Sequence, residues 1–376
     1  KKNQEKNRAT TKTRKLYVHQ MLKSFHRLLH HRATVKLNSI HFKPSNGLPL
    51  NHAQPIVVHV HGAFGSAVDF QYQSKKLANS FQTMVYSVDL RNHGESPRAL
   101  PYDNWTLTND LVSLIHTVSH QNGNKKVDLI GFSLGAKLAL LAGFQKKAQT
   151  VINKIVSIDM PPGKLQEMDI IAVRNFKIVL DVLRAGAYYK QGKLSVQENK
   201  IHETNGKHFS KADLKSLQEN LFLKTSGKIK DWMRPLENHF GKFNNYDPNL
   251  IAYFTAGFRE GSLAPKVGEP LQHKIPLLKM PNYLNSICDW PTSVVESGNP
   301  LGIRPHVSQP TLFLRALQSP MFPLPDKSTQ HHYDLIEKYY PNHRILDFDC
   351  IHPIHIAKPL EYYKAITDFL KVNQKV

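Results

Sequence analysis

The eleven residues VDLIGFSLGAK, at positions 127–137, place a serine between glycines where a short apolar strand is expected to lead into a helix. Gly131, Ser133 and Gly135 form a G-x-S-x-G pattern. This pattern predicts a sharp strand–turn–helix connection, in which small neighbours leave room for a strained backbone. The hydroxyl of Ser133 would then project at a helix N-terminus, which favours developing negative charge. The competing interpretation is a glycine-flanked turn whose serine only caps the helix.

Strands and helices alternate on both sides of this connection. The predicted strands are residues 35–42, 55–61, 84–90, 127–131, 155–159, 311–315 and 344–348, and the predicted helices are residues 106–120, 134–144 and 360–372. Strands separated by helices predict an α/β fold with a mostly parallel central sheet and helices on both faces.

The pattern is interrupted between two of the core strands. Residues 163–306 contain lysine-rich polar stretches and clustered prolines without a clear buried strand. We therefore expect residues 34–162 and 307–376 to form one core, with residues 163–306 inserted as a helical cap. A separate domain with its own function is the alternative, but sheet strands resume at Pro310, which favours a cap.

The first 33 residues form a basic leader. Residues 1–36 hold eleven Lys or Arg and a single acid, Glu5, and the next acid is Asp69. Residues 21–32 place Leu and Phe side chains on one helical face, and an amphipathic, basic, acid-free segment is typical of a mitochondrial transit peptide. A disordered basic tail is the alternative, and Met21 is a second candidate for the start of translation.

The composition argues against a membrane-spanning protein, a disulfide-held fold and a nucleic-acid-binding protein. The chain has 376 residues, a 40% hydrophobic fraction, a formal net charge of +21 and two cysteines, Cys288 and Cys350. That fraction is sufficient for a large core, no apolar run is long enough to span a membrane, and two cysteines do not make a disulfide framework. The basic residues form no recognisable reading motif for nucleic acid, so we expect no nucleic-acid partner.

A glycine-rich loop follows the second predicted strand. Residues 61–66 read HGAFGS. Acyl transfer needs backbone N–H groups directed at a developing oxyanion, and we predict those of Ala63 and Leu134 for this role. The neighbouring residues predicted to line the substrate site are His61, Gly62, Phe64 and Phe132. A plain glycine turn is the alternative.

A serine nucleophile also needs a base and an acid. Two candidate bases, His352 and His355, follow the last predicted strand. The acid is expected after the strand at 311–315, but no carboxylate stands there and Ser319 occupies the position. Asp159 ends the strand that follows the nucleophile helix, and the same sheet edge would carry it. Asp159 is therefore the first candidate, and Asp326 the second.

Three blocks carry a family resemblance: HGAFGS at 61–66, DLRNHGESP at 89–97 and GFSLGAK at 131–137. The histidine block HPIHIAKP at 352–359 is a further similarity. With these blocks the chain resembles the mitochondrial α/β-hydrolase family that contains the yeast ethanol acetyltransferases, over roughly residues 34–160 and 307–372. The resemblance implies that the acid follows the strand after the nucleophile helix, as Asp159 does, and that the first histidine of the last block, His352, is the base.

The resemblance implies an alcohol acetyltransferase with Ser133, Asp159 and His352 as its triad. Acetyl-CoA, ethanol and short esters are the expected substrates, with no cofactor beyond acetyl-CoA itself and no metal. An ester or thioester hydrolase with the same triad is the main alternative. A non-catalytic binding protein is a further alternative, which the complete Ser, Asp and His set argues against.

Overall fold

The computed structural model describes residues 34–165, 188–190, 193–195, 275–276, 288–292, 295 and 306–371. The predicted leader and most of the predicted helical insertion lie outside these residues. Among the described residues, no helix is both long enough and apolar enough to cross a bilayer.

The nine described strands form one large sheet and one hairpin. In chain order they are β1 (Ser39–Phe42), β2 (Ile56–Val60), β3 (Val85–Val88), β4 (Val127–Phe132), β5 (Ile152–Ile158), β6 (Tyr188–Lys190), β7 (Lys193–Ser195), β8 (Thr311–Ala316) and β9 (His343–Phe348). The large sheet has the order β1-β3-β2-β4-β5-β8-β9, while β6 and β7 pair with each other. Only β1 runs antiparallel to its neighbour in the large sheet.

Helices lie between the strands. The described helices are α1 (Gln71–Phe81), which follows a 3-10 turn at Ala67–Phe70, α2 (Asn104–Gln121), α3 (Leu134–Ala142), α4 (Lys146–Gln149), α5 (Gln330–Tyr339), α6 (Ile354–Ala357) and α7 (Pro359–Lys371). The α/β fold with a mostly parallel sheet is therefore confirmed. The antiparallel hairpin β6–β7 stands in the segment for which no buried strand was predicted.

The core has two apolar layers, one on each face of the sheet. Alternate residues of one strand enter different layers: Val58 and Val60 pack in one, and Val57 packs in the other. The first layer takes in α2, α3 and α5, and the second takes in α1 and α7. This alternation is the period-two pattern of a strand buried on both faces.

The parallel strands bring the site residues to one edge. Strands β2, β4, β5, β8 and β9 all end there, and the chain continues from them into the loops that carry the predicted site residues. Ligand sites of open α/β sheets lie outside the carboxyl ends of the strands, so the fold makes this edge the place to look for chemistry.

Candidate active site

Ser133 occupies a strained turn between β4 and α3. Its backbone has φ 52° and ψ −117°, outside the regions that side chains usually tolerate. A Cβ on Gly131 would come within 2.3 Å of the Gly135 carbonyl oxygen, and a Cβ on Gly135 within 2.3 Å of the Val60 oxygen. Glycine is therefore required at both positions. The Ser133 side chain makes no capping hydrogen bond to α3, so the interpretation as a capping serine does not describe this turn.

Asp159 and His352 form a hydrogen-bonded pair at the same edge. The Oδ2 atom of Asp159 lies 2.6 Å from Nδ1 of His352, and the Asp159 side chain is fully buried. The other carboxylate oxygen accepts the backbone N–H of Ala316 at 2.9 Å. Because a carboxylate holds the proton on Nδ1, the Nε2 atom of His352 is left as the acceptor. A general base needs this tautomer.

The Ala316 contact explains how an acid that follows β5 can reach a histidine that follows β9. Strand β8 lies between those two strands, and its last residue supplies the N–H that fixes Asp159. Asp159 itself has a positive φ of 51°, a backbone state that aspartate adopts more readily than most residues other than glycine. From this turn the carboxylate reaches the end of β8, where the carboxylate expected from the sequence is missing.

The two rival residues lie elsewhere. The exposed carboxylate of Asp326 accepts backbone N–H groups from Ser328 at 2.7 Å and Thr329 at 3.0 Å, just before α5. His355 is buried, stacks on Phe70 with ring centroids 4.6 Å apart, and burial lowers its pKa to about 3. The structure therefore brings Asp159, and not Asp326, to a histidine, and it is His352 that receives this carboxylate.

The glycine-rich loop packs directly against the nucleophile turn. A Cβ on Gly62 would lie 2.8 Å from Cδ1 of Phe132 and 3.1 Å from Cβ of Ser133. The N–H of Gly65 donates to the Gly62 oxygen at 3.1 Å, and Phe64 takes a φ of 67° inside that turn. Leu134 begins α3, where the first N–H groups have no acceptor within the helix. Ala63, in the loop, and Leu134 thus border the turn that carries Ser133.

The predicted substrate-lining side chains are buried. His61, Phe64 and Phe132 are each no more than 5% exposed. The Nε2 atom of His61 accepts the N–H of Leu90 at 3.0 Å, and its Nδ1 donates to the Gly62 oxygen at 2.7 Å. Both ring nitrogens are therefore hydrogen-bonded to backbone atoms, and His61 helps to fix the conformation of the loop. The ring of Phe132 packs on His352, with centroids 4.7 Å apart.

The loop at residues 89–97 is held by hydrogen bonds and close packing near this edge. Asp89 accepts the N–H of Ala67 at 2.6 Å, and a Cβ on Gly94 would lie 2.2 Å from the Asp89 carboxyl carbon. Arg91 and Asp110 form a doubly hydrogen-bonded pair, with side chains only 1% exposed. The loop therefore acts as a scaffold.

A row of buried rings beneath the base is not predicted by the sequence. His59 stacks on Phe70, which stacks on His355, and His355 meets Phe132 edge-on, with centroids 4.6, 4.6 and 4.7 Å apart. Burial also lowers the pKa of His59 to about 3. The rings come from distant segments, so the only sequence signal was the presence of histidines inside apolar runs. In the described part of the chain, no group of three His, Cys, Asp or Glu could hold a metal ion.

Comparisons with known proteins show the family to which the chain belongs. Residues 55–359 match the model of a family described as alpha/beta hydrolase fold. The chain is 31% identical over 329 residues to ethanol acetyltransferase 1 of Hanseniaspora uvarum, covering 87% of this chain and 82% of that protein. It is 29% identical over 327 residues to ethanol acetyltransferase 1 of Kluyveromyces lactis, covering 87% and 76%.

Solved structures show the same fold. A marine microorganism esterase superposes with a TM-score of 0.57 at 19% identity, covering 89% of this chain and 100% of that one. An E-2-(acetamidomethylene)succinate hydrolase superposes with a TM-score of 0.52 at 18% identity, covering 89% and 94%. At these identities the likeness concerns the fold alone.

Proposed function

This chain belongs to the α/β-hydrolase fold family that includes the yeast ethanol acetyltransferases, and we propose that it transfers an acetyl group from acetyl-CoA to ethanol through an acetyl-Ser133 intermediate. The observation that carries the proposal is the 2.6 Å contact between Asp159 and His352 beside the strained Ser133 turn. The names of the acetyltransferase relatives support an acetyl group as the group transferred and ethanol as the acceptor, while acetyl-CoA as the donor is part of our proposal.

The first half-reaction acylates the serine. His352 Nε2 takes the proton of Ser133 as its oxygen attacks the thioester carbonyl, and Asp159 stabilises the imidazolium that forms. The N–H groups of Ala63 and Leu134 hold the oxyanion. When the intermediate collapses, the C–S bond breaks, and His352 returns its proton to the departing coenzyme A sulfur.

The second half-reaction releases the ester. His352 removes the proton of ethanol as the alcohol oxygen attacks acetyl-Ser133, and collapse of the second oxyanion returns the proton to Ser133. Water in place of ethanol gives acetate by the same steps. The competing hydrolase function therefore differs in the acceptor that reaches the acyl-enzyme, and not in the catalytic groups.

Trapping the intermediate tests the proposal. Enzyme mixed with acetyl-CoA and quenched in acid should carry one acetyl group on the peptide that contains Ser133. The Ser133→Ala variant is the control and should carry none there. An unmodified Ser133 peptide, in enzyme that still consumes acetyl-CoA, would refute the acetyl-serine mechanism.

We also propose mitochondrial import, on the basis of the basic, acid-free leader at residues 1–33. A fluorescent protein fused to residues 1–36 should reach mitochondria, and the same fusion with Arg27 and Arg32 changed to Glu should not. Equal distribution of both fusions would leave the leader without this role.

A further inference from the structure

Two buried side-chain donors converge on one backbone carbonyl at the edge of the site. Nζ of Lys137 lies 2.8 Å from the Asp289 oxygen, and Nδ2 of Asn104 lies 2.9 Å from the same oxygen. Lys137 is fully buried, and Asn104 is 3% exposed. We call this three-residue arrangement the Asp289 clamp. A carbonyl oxygen has two lone pairs, so the two donors together satisfy its capacity as an acceptor.

The lysine is costly in this place. Burial lowers the pKa of its amine to about 7, since a charged amine is poorly solvated inside a protein. Helix α3 has the sequence LGAKLALLA, in which every residue other than the lysine is apolar or glycine. A methionine of similar length would pack in such a helix without the desolvation cost. Lysine, unlike methionine, donates a hydrogen bond to the Asp289 oxygen.

The clamp lies one helical turn from the nucleophile. Lys137 is the fourth residue of α3, and its backbone N–H donates to the Ser133 oxygen at 3.1 Å. Asn104 is the first residue of α2. The clamp therefore joins residues 288–290 to the first turns of two helices, one of which carries the nucleophile.

The clamped segment is continuous with the core around the site. The Cys288 oxygen accepts the N–H of Leu165 at 2.9 Å. Cys288 and Trp290 are 1% and 4% exposed, and they belong to the same buried apolar cluster as Ala63, Phe64 and Leu134. These two residues therefore pack in the apolar layer that also contains the glycine-rich loop and the start of α3, where the predicted oxyanion donors lie.

We infer that Lys137 and Asn104 are positioning residues, which fix residues 288–290 against the nucleophile helix and thereby exclude water from acetyl-Ser133 in favour of an alcohol. The clamp does not touch the reacting atoms. The inference rests on the proposed function for its choice of substrates, but the anchoring of residues 288–290 can be tested without any substrate.

Cys288 reports directly on the anchoring. The chain has only two cysteines, so Cys350→Ser leaves Cys288 as the single thiol. In this background, Lys137→Met removes one donor and keeps a side chain of similar length, and Asn104→Leu removes the other donor and keeps a side chain of similar shape. Each should raise the rate at which a thiol reagent such as DTNB modifies Cys288 by on the order of tenfold, as expected for loss of one buried hydrogen bond.

Lys146→Met is the matched control, because it makes the same change at an exposed lysine of α4 and leaves the clamp in place. It should keep the original rate. Thermal melts identify any variant that fails to fold. If neither donor variant exposes Cys288 while folded, the clamp does not anchor the segment, and the inference is wrong.

The ratio of ethyl acetate to acetate tests the effect on chemistry. This ratio does not depend on how much enzyme is folded, so a merely structural loss leaves it unchanged. Both donor variants should lower it by on the order of tenfold at fixed ethanol, and Lys146→Met should not. An unchanged ratio in variants with an exposed Cys288 would overturn the role in excluding water. If the wild type makes no ester, the proposed function fails, and the thiol measurement alone decides the anchoring.

Discussion

Asp159 and His352 are 193 residues apart in the sequence, yet their side chains form a 2.6 Å hydrogen bond over the end of β8. The second oxygen of Asp159 is held by the N–H of Ala316. This relationship predicts a large effect for Asp159→Asn, because an amide can keep the Ala316 contact while its NH₂ group opposes the Nδ1–H of His352. We expect kcat to fall by on the order of 10³- to 10⁴-fold with the fold intact. Steady-state kinetics and circular dichroism provide the two measurements.

Asp326→Asn provides the control for that experiment. Asp326 caps the turn before α5 and is exposed, so its variant should keep the wild-type kcat. An active Asp159→Asn enzyme with an inactive Asp326→Asn enzyme would assign the acid to Asp326.

Gly62→Ala should impair catalysis through crowding. The added methyl would meet Phe132 at 2.8 Å and Ser133 at 3.1 Å, so the loop or the nucleophile must shift. A displacement of about 1 Å in an active site costs on the order of 10²-fold in rate.

Gly143→Ala is the control. It is equally crowded, at 2.8 Å from Val307, but lies at the far end of α3. It should lower the melting temperature while the folded enzyme keeps its kcat. Equal kcat losses in both variants would count against a local effect.

Acid should destabilise the fold through His59 and His355. Burial lowers the pKa of each to about 3, so between pH 6.5 and 3 the unfolded chain binds protons that the folded chain does not. Stability therefore falls as the pH falls, with a slope of about 1.4 kcal/mol per pH unit for each histidine. His59→Asn should reduce the slope measured by urea unfolding by that amount. The exposed His41→Asn is the control, and an equal slope in all three proteins would contradict the prediction.

The buried pair of Arg91 and Asp110 should be sensitive to the loss of one partner. Both side chains are 1% exposed, and the carboxylate also accepts the N–H of Val35. Asp110→Asn removes the charge that faces the guanidinium, and breaking such a pair costs about 3–5 kcal/mol of unfolding free energy. Asp368→Asn, which breaks the exposed contact with Lys364, should have little effect. Urea titrations of the two variants decide the matter.

The nucleophile turn could be predicted from sequence because its signal is local. Glycines at two fixed offsets, an apolar strand before them and an apolar helix after them indicate one connection. Asp159 could be predicted from sequence for a different reason. No carboxylate stands near Ser319, and in a parallel sheet the neighbouring strand, which Asp159 follows, ends at the same edge.

The ends of strands are harder to predict from sequence where polar residues interrupt the apolar pattern. Strand β5 begins at Ile152, three residues before the predicted start. The polar pair Asn153 and Lys154 obscured it, and their partners lie far away in the chain. Asn153 donates to Asp128, and Lys154 donates to the Phe369 and Leu370 oxygens at the end of α7.

The first strand shows the opposite error. It was predicted over residues 35–42, but it begins at Ser39. The N–H groups of Val35 and Asn38 donate to the side chains of Asp110 and Ser96 instead of to a neighbouring strand. Like the Asp289 clamp, these are contacts between distant segments, which periodicity along one segment does not reveal.

The most direct test of the account is one assay of the purified protein with acetyl-CoA, with and without ethanol, in which ethyl acetate and acetate are measured together. Ser133→Ala and Asp159→Asn are run beside the wild type. The account predicts ethyl acetate that depends on ethanol, and the loss of both products in both variants. Acetate alone at every ethanol concentration would make the protein a thioesterase, and full activity in Asp159→Asn would contradict the proposed triad.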